Sequence, residues 1–490
     1  MFRKKRRGVE RDPLIKGLID RVGEPNVLYH REDLVAYECD GFTLQRGEAR
    51  AVVFPADTRE VAAVVRLLNE ENIPFIARGA GTGLSGGATP LGGEVIISLV
   101  KMKKLLRIDL ENRMAVVQPG FVNLKLTQSI ADAGYYYAPD PSSQSCCTIG
   151  GNVAENAGGA HCLKYGVTTN HVLGVEAVLP NGEIIRIGEG GIPDTPGYDL
   201  LGLLTGSEGT LAIVTEITLR LLKSPEAKQT ILAYFDDVGD GSRAVSEIIS
   251  AGILPAALEM MDRTAIQAVE SANFPVGHPL DIEALLLIEV DGIAAGLLDQ
   301  TREVVEVCQR WNVREVQVAK DEKEAAGWWA NRKTGFGAMG AISPDYLVQD
   351  GVIPRSSLPE VLKQIGRISR ESGLRIANIF HAGDGNLHPL ILFDQRVPGE
   401  KERALKAGTR CLLVCTDAGG TITGEHGIGI EKREEMRFIF TEEEIDAQIR
   451  IREIFNPKNQ MNPGKLFPQP GRCAEVKKEK KRKAKAGQSG

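Results

Sequence analysis

A glycine-rich loop that follows a short apolar strand constrains this chain most. Residues 74–90 read PFIARGAGTGLSGGATP; because glycine has no Cβ, successive backbone N–H groups of such a loop can converge on a phosphate. Gly81, Gly83 and Gly86 match the dinucleotide-binding fingerprint by letter, but that fingerprint needs a helix directly after it. Residues 88–93 break any helix, and 94–99 read as another strand. The loop is therefore either an anion-binding nest outside that fold or a glycine-rich surface loop.

Length, charge and cysteine usage limit the classes of protein to which this loop can belong. The 490 residues exceed a single core and suggest about three modules. With 59 basic and 65 acidic residues the formal charge is −6, which gives no overall attraction to nucleic acid or anionic membranes. No apolar run is long enough to span a bilayer, and the eight cysteines lack a secreted-domain spacing. We expect a soluble, cytoplasmic protein with no transmembrane segment and no nucleic-acid partner.

Hydrophobic periodicity predicts the elements around the loop. Residues 14–22 have the pattern of an amphipathic helix, and Thr58 is expected to cap a second helix that leads into the opening strand. The pair Asn181-Gly182, between two apolar runs, predicts a β-hairpin. Two further glycine clusters, at 148–159 and 205–210, suggest that backbone wraps one long polyanionic ligand, and they favour the phosphate interpretation of the first loop.

The pattern changes after residue 225. Strands such as 284–290, 313–318 and 375–380 alternate there with amphipathic helices, which predicts a second, α+β domain covering the ligand. Residues 442–455 predict a helix that ends in irregular chain up to residue 468. The lysine-rich run beyond it is expected to be a disordered basic tail.

Two histidine motifs carry the candidate chemistry. His381 and His388 lie in HAGDGNLH after an apolar strand, and Glu425 and His426 are adjacent in GEHGIG. Two histidines and a carboxylate at glycine-rich strand ends are a plausible set for a divalent Zn, Mn or Fe ion, although a hydrogen-bonded cluster without metal fits the residues nearly as well.

A basic and aromatic segment adds a candidate anion-binding residue. Arg332 follows two tryptophans in GWWANRKTG, which suits capture of a carboxylate, although an arginine on a helix surface is the common case. Two cysteine pairs, Cys411 with Cys415 and Cys146 with Cys147, are expected to be buried thiols. The chain has no Walker lysine, no nucleophile-elbow serine and no iron–sulfur cysteine run, which disfavours nucleotide hydrolysis, serine hydrolysis and internal cluster chemistry.

In this order, the motifs RGAGTGLSGG, PDPSS, TIGGN, TGSEGT, HAGDGNLH, GEHGIG and NPGK resemble the FAD-linked oxidases of the vanillyl-alcohol oxidase type. Within that family the chain is most similar to the branch of bacterial glycolate oxidase FAD subunits and D-lactate dehydrogenases. The resemblance covers about residues 11–465. It implies an α+β fold, in which a two-lobed FAD-binding domain carries an α+β cap domain. With the basic tail, which lies outside the resemblance, the expected divisions are 1–45 (N-terminal helical segment), 46–222 (FAD-binding domain), 223–417 (cap), 418–468 (C-terminal segment completing the FAD site) and 469–490 (disordered basic tail).

The resemblance also assigns roles to individual residues. His426 would be the catalytic base with Asn386 beside it, Arg332 would pair with the substrate carboxylate, and His381, His388 and Glu425 would hold the metal. The implied FAD contacts are Arg78, Gly79, Ala80, Gly81, Thr82, Gly83, Leu84, Ser85, Gly86, Pro139, Ser142, Ser143, Thr148, Gly150, Gly151, Asn152, Gly206, Glu208, Gly209 and Asn462.

Two differences from related enzymes bear on the expected flavin attachment and on the expected substrate. The loop runs from Ser85 to Ala88 without the histidine to which some relatives attach flavin, so the FAD is expected to be non-covalent. Where related 2-hydroxyglutarate enzymes carry a lysine, this chain has Val348-Gln349, so glycolate or D-lactate fits better than a dicarboxylate. The expected reaction is oxidation of a small 2-hydroxy acid to the 2-oxo acid by hydride transfer to flavin, with His426 taking the hydroxyl proton.

The electrons are expected to pass to a separate iron–sulfur protein or electron-transfer flavoprotein, since no cluster motif is present. Such a partner would place the chain in the cytoplasm, or peripherally on the inner membrane through partner subunits. Three alternatives stay open: a non-catalytic flavin-carrying subunit of a larger redox complex, a metallohydrolase built on the histidines, and a redox-neutral flavoenzyme of the alkylglycerone-phosphate synthase kind.

Overall fold

The structure is a computed structural model that describes residues 12–188, 197–272 and 275–469. The basic tail expected from residue 469 lies outside these ranges from residue 470 onward, as do the first eleven residues of the N-terminal segment. The helices are α1 (Pro13–Val22), α2 (Arg31–Leu34), α3 (Thr58–Glu70), α4 (Asn123–Ile130), α5 (Ile149–Glu155), α6 (Cys162–Tyr165), α7 (Leu200–Leu204), α8 (Val238–Ser250), α9 (Arg263–Glu270), α10 (Ala294–Arg310), α11 (Glu322–Lys333), α12 (Gly335–Ala338), α13 (Leu358–Ser372), α14 (Glu400–Asp417) and α15 (Glu442–Phe455).

The strands build two smaller sheets, a two-stranded pair and one large sheet. They are β1 (Val27–Leu28), β2 (Ala51–Val53), β3 (Phe75–Arg78), β4 (Val95–Ser98), β5 (Leu105–Asp109), β6 (Met114–Val117), β7 (Tyr135–Tyr136), β8 (Val172–Val178), β9 (Ile184–Ile187), β10 (Ile213–Arg220), β11 (Leu222–Lys223), β12 (Ala227–Phe235), β13 (Ala257–Asp262), β14 (Ala284–Gly292), β15 (Val313–Val318), β16 (Asp345–Val348), β17 (Gly351–Val352), β18 (Ile376–His381), β19 (Asn386–Leu387) and β20 (Pro389–Phe393).

The first lobe carries the opening glycine loop. Its four strands are ordered β1-β2-β4-β3, with β2 and β3 both parallel to β4. Helix α3 crosses between β2 and β3 and buries its valine stripe against the sheet together with α1. The loop leaves the carboxyl end of β3 and returns to β4 without forming a helix, as the sequence predicts.

The second lobe is antiparallel, with the order β5-β6-β10-β8-β9. The predicted hairpin is confirmed: β8 and β9 pair around Asn181-Gly182, where Gly182 has a φ of +83° that favours glycine. Helices α4, α5 and α7 bury apolar residues against the sheet, and α5 and α7 bring the second and third glycine clusters to the same side as the first.

The cap is built on the large sheet, in which β15-β12-β14-β13-β18-β19-β17 form the main path and β20 joins β18 to β16. Both faces of this sheet are buried, one against α8, α10, α13 and α14 and the other against α9, α11 and α12. The strands predicted around 284–290, 313–318 and 375–380 are all present, and the α+β fold class is confirmed.

After α14 the chain returns from the cap to the first lobe. Met461 pairs with Phe75 beside the opening strand, and both side chains are fully buried. The segment after α15 is irregular, as its prolines predict. Among the described residues, no helix is both long and apolar enough to cross a membrane.

Two local predictions, the capping residue of α3 and the burial of Cys146, were wrong. Asp57, not Thr58, caps α3: its carboxylate accepts from the N–H groups of Arg59 and Glu60, whereas the Thr58 hydroxyl donates to Glu176. The cluster at 148–159 contains helix α5, which adjacent glycines do not favour; packing against Pro119 overrides their low propensity. Cys147 is buried as expected, but Cys146 is exposed.

Candidate active site

A cavity of about 380 Å³ lies where the three glycine clusters face the cap. Most of the predicted site residues line it: Arg78, Gly79, Ala80, Gly81, Thr82, Gly83, Leu84, Ser142, Ser143, Thr148, Gly150, Gly151, Asn152, Glu208, Gly209, Arg332, His381, His388, Glu425 and His426. Six lie behind the lining: Ser85, Gly86, Pro139, Gly206, Asn386 and Asn462. The structure thus brings the glycine clusters and the histidine motifs to one space.

The opening loop presents unpaired donors to the cavity. The backbone N–H groups of residues 80–84 donate to none of the other described residues, and Gly81 has a φ of +73°. Arg78 ties the loop down, since its guanidinium donates to the carbonyl oxygens of Ala88 (3.0 Å) and Cys39 (2.8 Å). A row of free amide donors on a cavity wall fits a phosphate-bearing cofactor such as FAD.

The Gly79→Ala variant is expected to bind FAD at least about tenfold more weakly. A Cβ at Gly79 would overlap Oγ1 of Thr148, whose hydroxyl caps α5 by accepting from the Gly151 N–H, so two cavity walls would move apart. Titration of apoprotein with FAD, followed by flavin fluorescence, measures this change. The matched control is Gly296→Ala in α10, where nothing lies within 4 Å of the added Cβ; equal FAD affinity in both variants would contradict the prediction.

Glu425 joins the two predicted metal-binding histidines. Its Oε1 lies 3.1 Å from His381 Nε2 and 3.0 Å from His388 Nε2, and the three side chains are buried. Ligand atoms of one tetrahedral zinc ion at its usual bond lengths lie roughly 3.3 Å from one another. Neither ring nitrogen of His388 makes a hydrogen bond of good geometry to the described residues. Ligand atoms of Asp350, His388, Glu425 and His426 all lie within 4.8 Å of one another, a spacing that fits a divalent ion, and His381 contacts this group through Glu425.

Glu259 contacts both His381 and Arg332. It lies on β13 in register with His381 on β18, and its Oε1 is 2.6 Å from His381 Nδ1. Its other oxygen accepts from a terminal nitrogen of Arg332. Burial raises the pKa of Glu259, but His381 and Arg332 outweigh that effect and lower it. The carboxylate therefore fixes His381 with Nε2 towards Glu425, as partners of metal-ligating histidines do, and holds Arg332 at the cavity wall.

His426 lies stacked on His388, with ring centroids 4.9 Å apart. Its Nε2 is 3.8 Å from Glu425 and its Nδ1 is 4.0 Å from Asp350, distances too long for hydrogen bonds. Burial lowers the pKa of His426 to about 4, against the raising effect of Asp350. The imidazole is therefore neutral at pH 7 and can accept a proton.

The loop that carries His426 is held from both sides by carboxylates. Asp350 Oδ2 accepts from the backbone N–H groups of residues 424–426 at 2.9–3.2 Å and from the Thr423 hydroxyl. Glu208 accepts from the N–H groups of Ile428 and Gly429, both at 2.6 Å. The fully buried Ser85 donates to the His426 carbonyl oxygen at 2.8 Å. Ser85 therefore contacts the histidine loop from behind the cavity lining.

The other predicted residues behind the lining also have protein partners. The Asn462 amide donates to the carbonyl oxygens of Gly87 and Glu208, so the C-terminal segment supports two glycine clusters. The amide of Gly206 donates to the carbonyl oxygen of Val153 in α5. Asn386 is buried against Gly424, where a Cβ would overlap its amide; it packs under the histidine loop.

Sequence reasoning missed Glu259 as a site residue, and it gave Asp350 no role. The available signals were an acidic residue in the apolar strand 257–262 and another two residues after the strand 345–348, because buried carboxylates need partners. Phe336 and Lys333, which also line the cavity beside Arg332, were missed as well.

Comparisons with known proteins show the family to which this chain belongs. The model for an FAD binding domain matches residues 49–188, and the model for the C-terminal domain of FAD linked oxidases matches residues 224–466. The glycolate oxidase subunit GlcD of Escherichia coli is 45% identical over 95% of this chain and 93% of its own length. A D-lactate dehydrogenase of Anaerostipes hadrus is 35% identical over 86% of this chain and 90% of its own.

Solved structures match in fold at low sequence identity. A p-cresol methylhydroxylase is 18% identical, with a TM-score of 0.77 over 92% of this chain and 96% of its own. At this identity the likeness concerns the fold alone, which is that of the vanillyl-alcohol oxidase type. With both domain models matched and close relatives along nearly the whole chain, this protein belongs to the FAD-linked oxidases.

Proposed function

We propose that this chain oxidises a small 2-hydroxy acid, glycolate or D-lactate, to the 2-oxo acid and passes the electrons to a partner protein. One observation carries the proposal: Arg332 and His426 line the same cavity as the glycine clusters. A 2-hydroxy acid needs a cation for its carboxylate and a base for its hydroxyl proton, and these residues offer both. The names of the relatives, glycolate oxidase subunit and D-lactate dehydrogenase, point to the same substrate class.

The roles of the residues follow from their contacts. Arg332 lines the cavity and is held there by Glu259, so its guanidinium is placed to pair with a substrate carboxylate. His426 takes the hydroxyl proton on a free ring nitrogen, while Asp350 and Glu208 keep its loop in place. FAD would supply the hydride acceptor, and a divalent ion, for which His381, His388 and Glu425 are the proposed ligands, would supply Lewis-acid polarisation.

The cofactor and the division of the chain form part of the proposal. FAD binds without a covalent bond, since Ala88, which lines the cavity, has no nucleophilic side chain. Residues 46–222 and 418–468 form its binding domain, and 223–417 form the cap. The return of Met461 to the opening strand supports this division. Acid precipitation should release all flavin into the supernatant, whereas yellow colour in the pellet would indicate a covalent link.

The electron acceptor is a separate iron–sulfur protein or electron-transfer flavoprotein. Support comes from the cysteines of the described residues, whose arrangement does not suit an iron–sulfur cluster. Most of them lie on separate elements. The exceptions are the neighbours Cys146 and Cys147, and the pair Cys411 and Cys415 on α14, which is buried in the cap core. The Escherichia coli relative is named a glycolate oxidase subunit, which also suggests that this chain works in an assembly with other proteins.

The test of the proposed function is turnover with an artificial two-electron acceptor and detection of the 2-oxo acid. Glycolate or D-lactate should yield glyoxylate or pyruvate in a one-to-one ratio with reduced acceptor. Absence of a 2-oxo acid from every hydroxy acid supplied would contradict the proposal.

Metal removal is expected to lower turnover without releasing FAD. Dialysis against dipicolinate should lower turnover at least about 100-fold while the flavin absorbance stays unchanged, because the metal ligands and the glycine clusters are different residues. Re-addition of Zn²⁺, Mn²⁺ or Fe²⁺, one at a time, should restore turnover with one of them. Full turnover in protein without metal detectable by mass spectrometry would contradict the role of the metal.

A further inference from the structure

His161 bridges the second lobe and the large sheet. It follows Gly159, whose missing side chain lets the chain pass directly over the backbone of Asp140. His161 Nδ1 lies 2.8 Å from Asp140 Oδ2, and the His161 N–H donates to Asp140 Oδ1 at 3.3 Å. On its other side, His161 Nε2 lies 3.3 Å from Glu289 Oε1 on β14. One imidazole thus contacts two carboxylates from different parts of the fold.

The contact continues to the helix that carries Arg332. The second oxygen of Glu289 accepts from the indole N–H of Trp329 at 2.9 Å. The Trp329 ring also packs on His161, with centroids 5.6 Å apart and planes 30° apart. Trp329 and Arg332 are three residues apart on α11, so they lie on neighbouring positions of one helix face. A shift of α11 after loss of the Trp329 contacts would therefore also move the backbone that carries Arg332.

The two carboxylates of this group favour the protonated, positively charged form of His161. The side chains of Asp140 and Glu289 are 13% and 5% exposed, so two carboxylates face each other in a largely dry space. Burial lowers the pKa of His161, but Asp140 and Glu289 outweigh it and raise the pKa to about 10. The imidazolium donates from both ring nitrogens, and Lys228, 3.8 Å from Glu289, adds a second positive charge.

We propose that His161 is a positioning residue for Arg332: through Asp140, Glu289 and Trp329 it fixes the distance between the cofactor-binding lobe and the arginine that binds the substrate carboxylate. This inference rests on the proposed function of Arg332. We name the group Asp140, His161, Glu289 and Trp329 the interdomain clamp.

A second bridge on the same strand offers a matched control. Lys164 donates to the Asp291 carbonyl oxygen at 2.7 Å and to its carboxylate, and the Tyr165 hydroxyl donates to the same carboxylate at 2.6 Å. Asp291 is two residues after Glu289 on β14, but none of its contacts among the described residues reaches α11. Loss of this bridge weakens the docking of the two parts without loosening Trp329.

The experiment compares full-length holoprotein carrying His161→Ala, His161→Gln, Trp329→Phe, the double variant His161→Ala/Trp329→Phe and Lys164→Met. Steady-state turnover with the 2-hydroxy acid that reduces the wild type gives KM and kcat separately. Thermal unfolding of the same set gives a double-mutant cycle that does not depend on activity.

The clamp predicts a selective rise in KM. His161→Ala should raise KM at least about fivefold with kcat changed less than about twofold, because Arg332 acts on substrate binding. Trp329→Phe should change KM in the same direction, and the double variant should be no worse than His161→Ala. His161→Gln, which keeps one donor, should lie between His161→Ala and the wild type. Lys164→Met should lower the melting temperature without changing KM.

Three results would overturn the inference: an unchanged KM in His161→Ala, additive effects of the two substitutions on KM, or an equal rise in KM in Lys164→Met. If no 2-hydroxy acid reduces the wild type, the proposed function fails. The clamp is then decided by the unfolding cycle alone, where non-additive melting temperatures support it and additive ones reject it.

Discussion

The His426→Ala variant is expected to bind FAD normally and to lose reduction of that FAD by substrate. Removal of a positioned general base slows proton transfer by about 10²–10⁴-fold. The side chain lines the cavity and makes no hydrogen bond to another described element, whereas its backbone groups, which alanine retains, anchor the loop to Asp350 and Ser85. Loss of the imidazole should therefore affect the chemistry more than the fold.

Stopped-flow reduction under anaerobic conditions measures this loss directly. His171→Gln is the matched control, since His171 is a buried histidine that does not line the cavity. We expect wild-type reduction rates in that control. Normal flavin reduction in His426→Ala would refute its assignment as the base.

The Glu259→Gln variant is expected to lose metal and at least about 100-fold in turnover. Glutamine cannot balance the charge of Arg332 and is a weaker acceptor for His381 Nδ1, and breaking a buried ion pair costs about 3–5 kcal/mol. Loss of a carboxylate that orients a metal-ligating histidine typically lowers metal affinity by about 10–100-fold. Metal content by mass spectrometry, KM for substrate and the melting temperature should all change, while the FAD content should not.

A neighbouring carboxylate on the same strand serves as the control for Glu259. Asp262 is partly buried, and its partners are Ala265 and Asn378 rather than site residues. Asp262→Asn should lower stability without changing metal content or KM. If Glu259→Gln behaved like Asp262→Asn, Glu259 would be a packing residue without influence on the site.

Local sequence signals predicted the elements that depend on local physics. The valine stripe of α3, the hairpin at Asn181-Gly182 and the helix 442–455 follow from periodicity and turn chemistry, and all are present. Helix α5 was not predicted, because adjacent glycines have low helix propensity; Thr148 caps it, and Gly150 packs closely on Pro119.

The candidate site could be predicted only where its residues lie in glycine-rich motifs. Glu259 is 73 residues from Arg332 and 122 from His381, and only the pairing of β13 with β18 brings them together. The interdomain clamp likewise joins Asp140, His161 and Glu289 from separate elements, so no local sequence pattern predicts it. Long-range strand register and domain docking are the parts of the fold that are hardest to predict from a single sequence.

The central claim is that the cavity oxidises a 2-hydroxy acid with FAD, and anaerobic titration of the purified yellow protein tests it most directly. Glycolate, D-lactate, L-lactate and D-2-hydroxyglutarate are added separately, and flavin absorbance is followed. We predict stoichiometric bleaching by glycolate or D-lactate and little or none by the dicarboxylate. A protein that holds FAD but is bleached by none of the four acids would contradict the account and favour a non-catalytic flavin-carrying subunit.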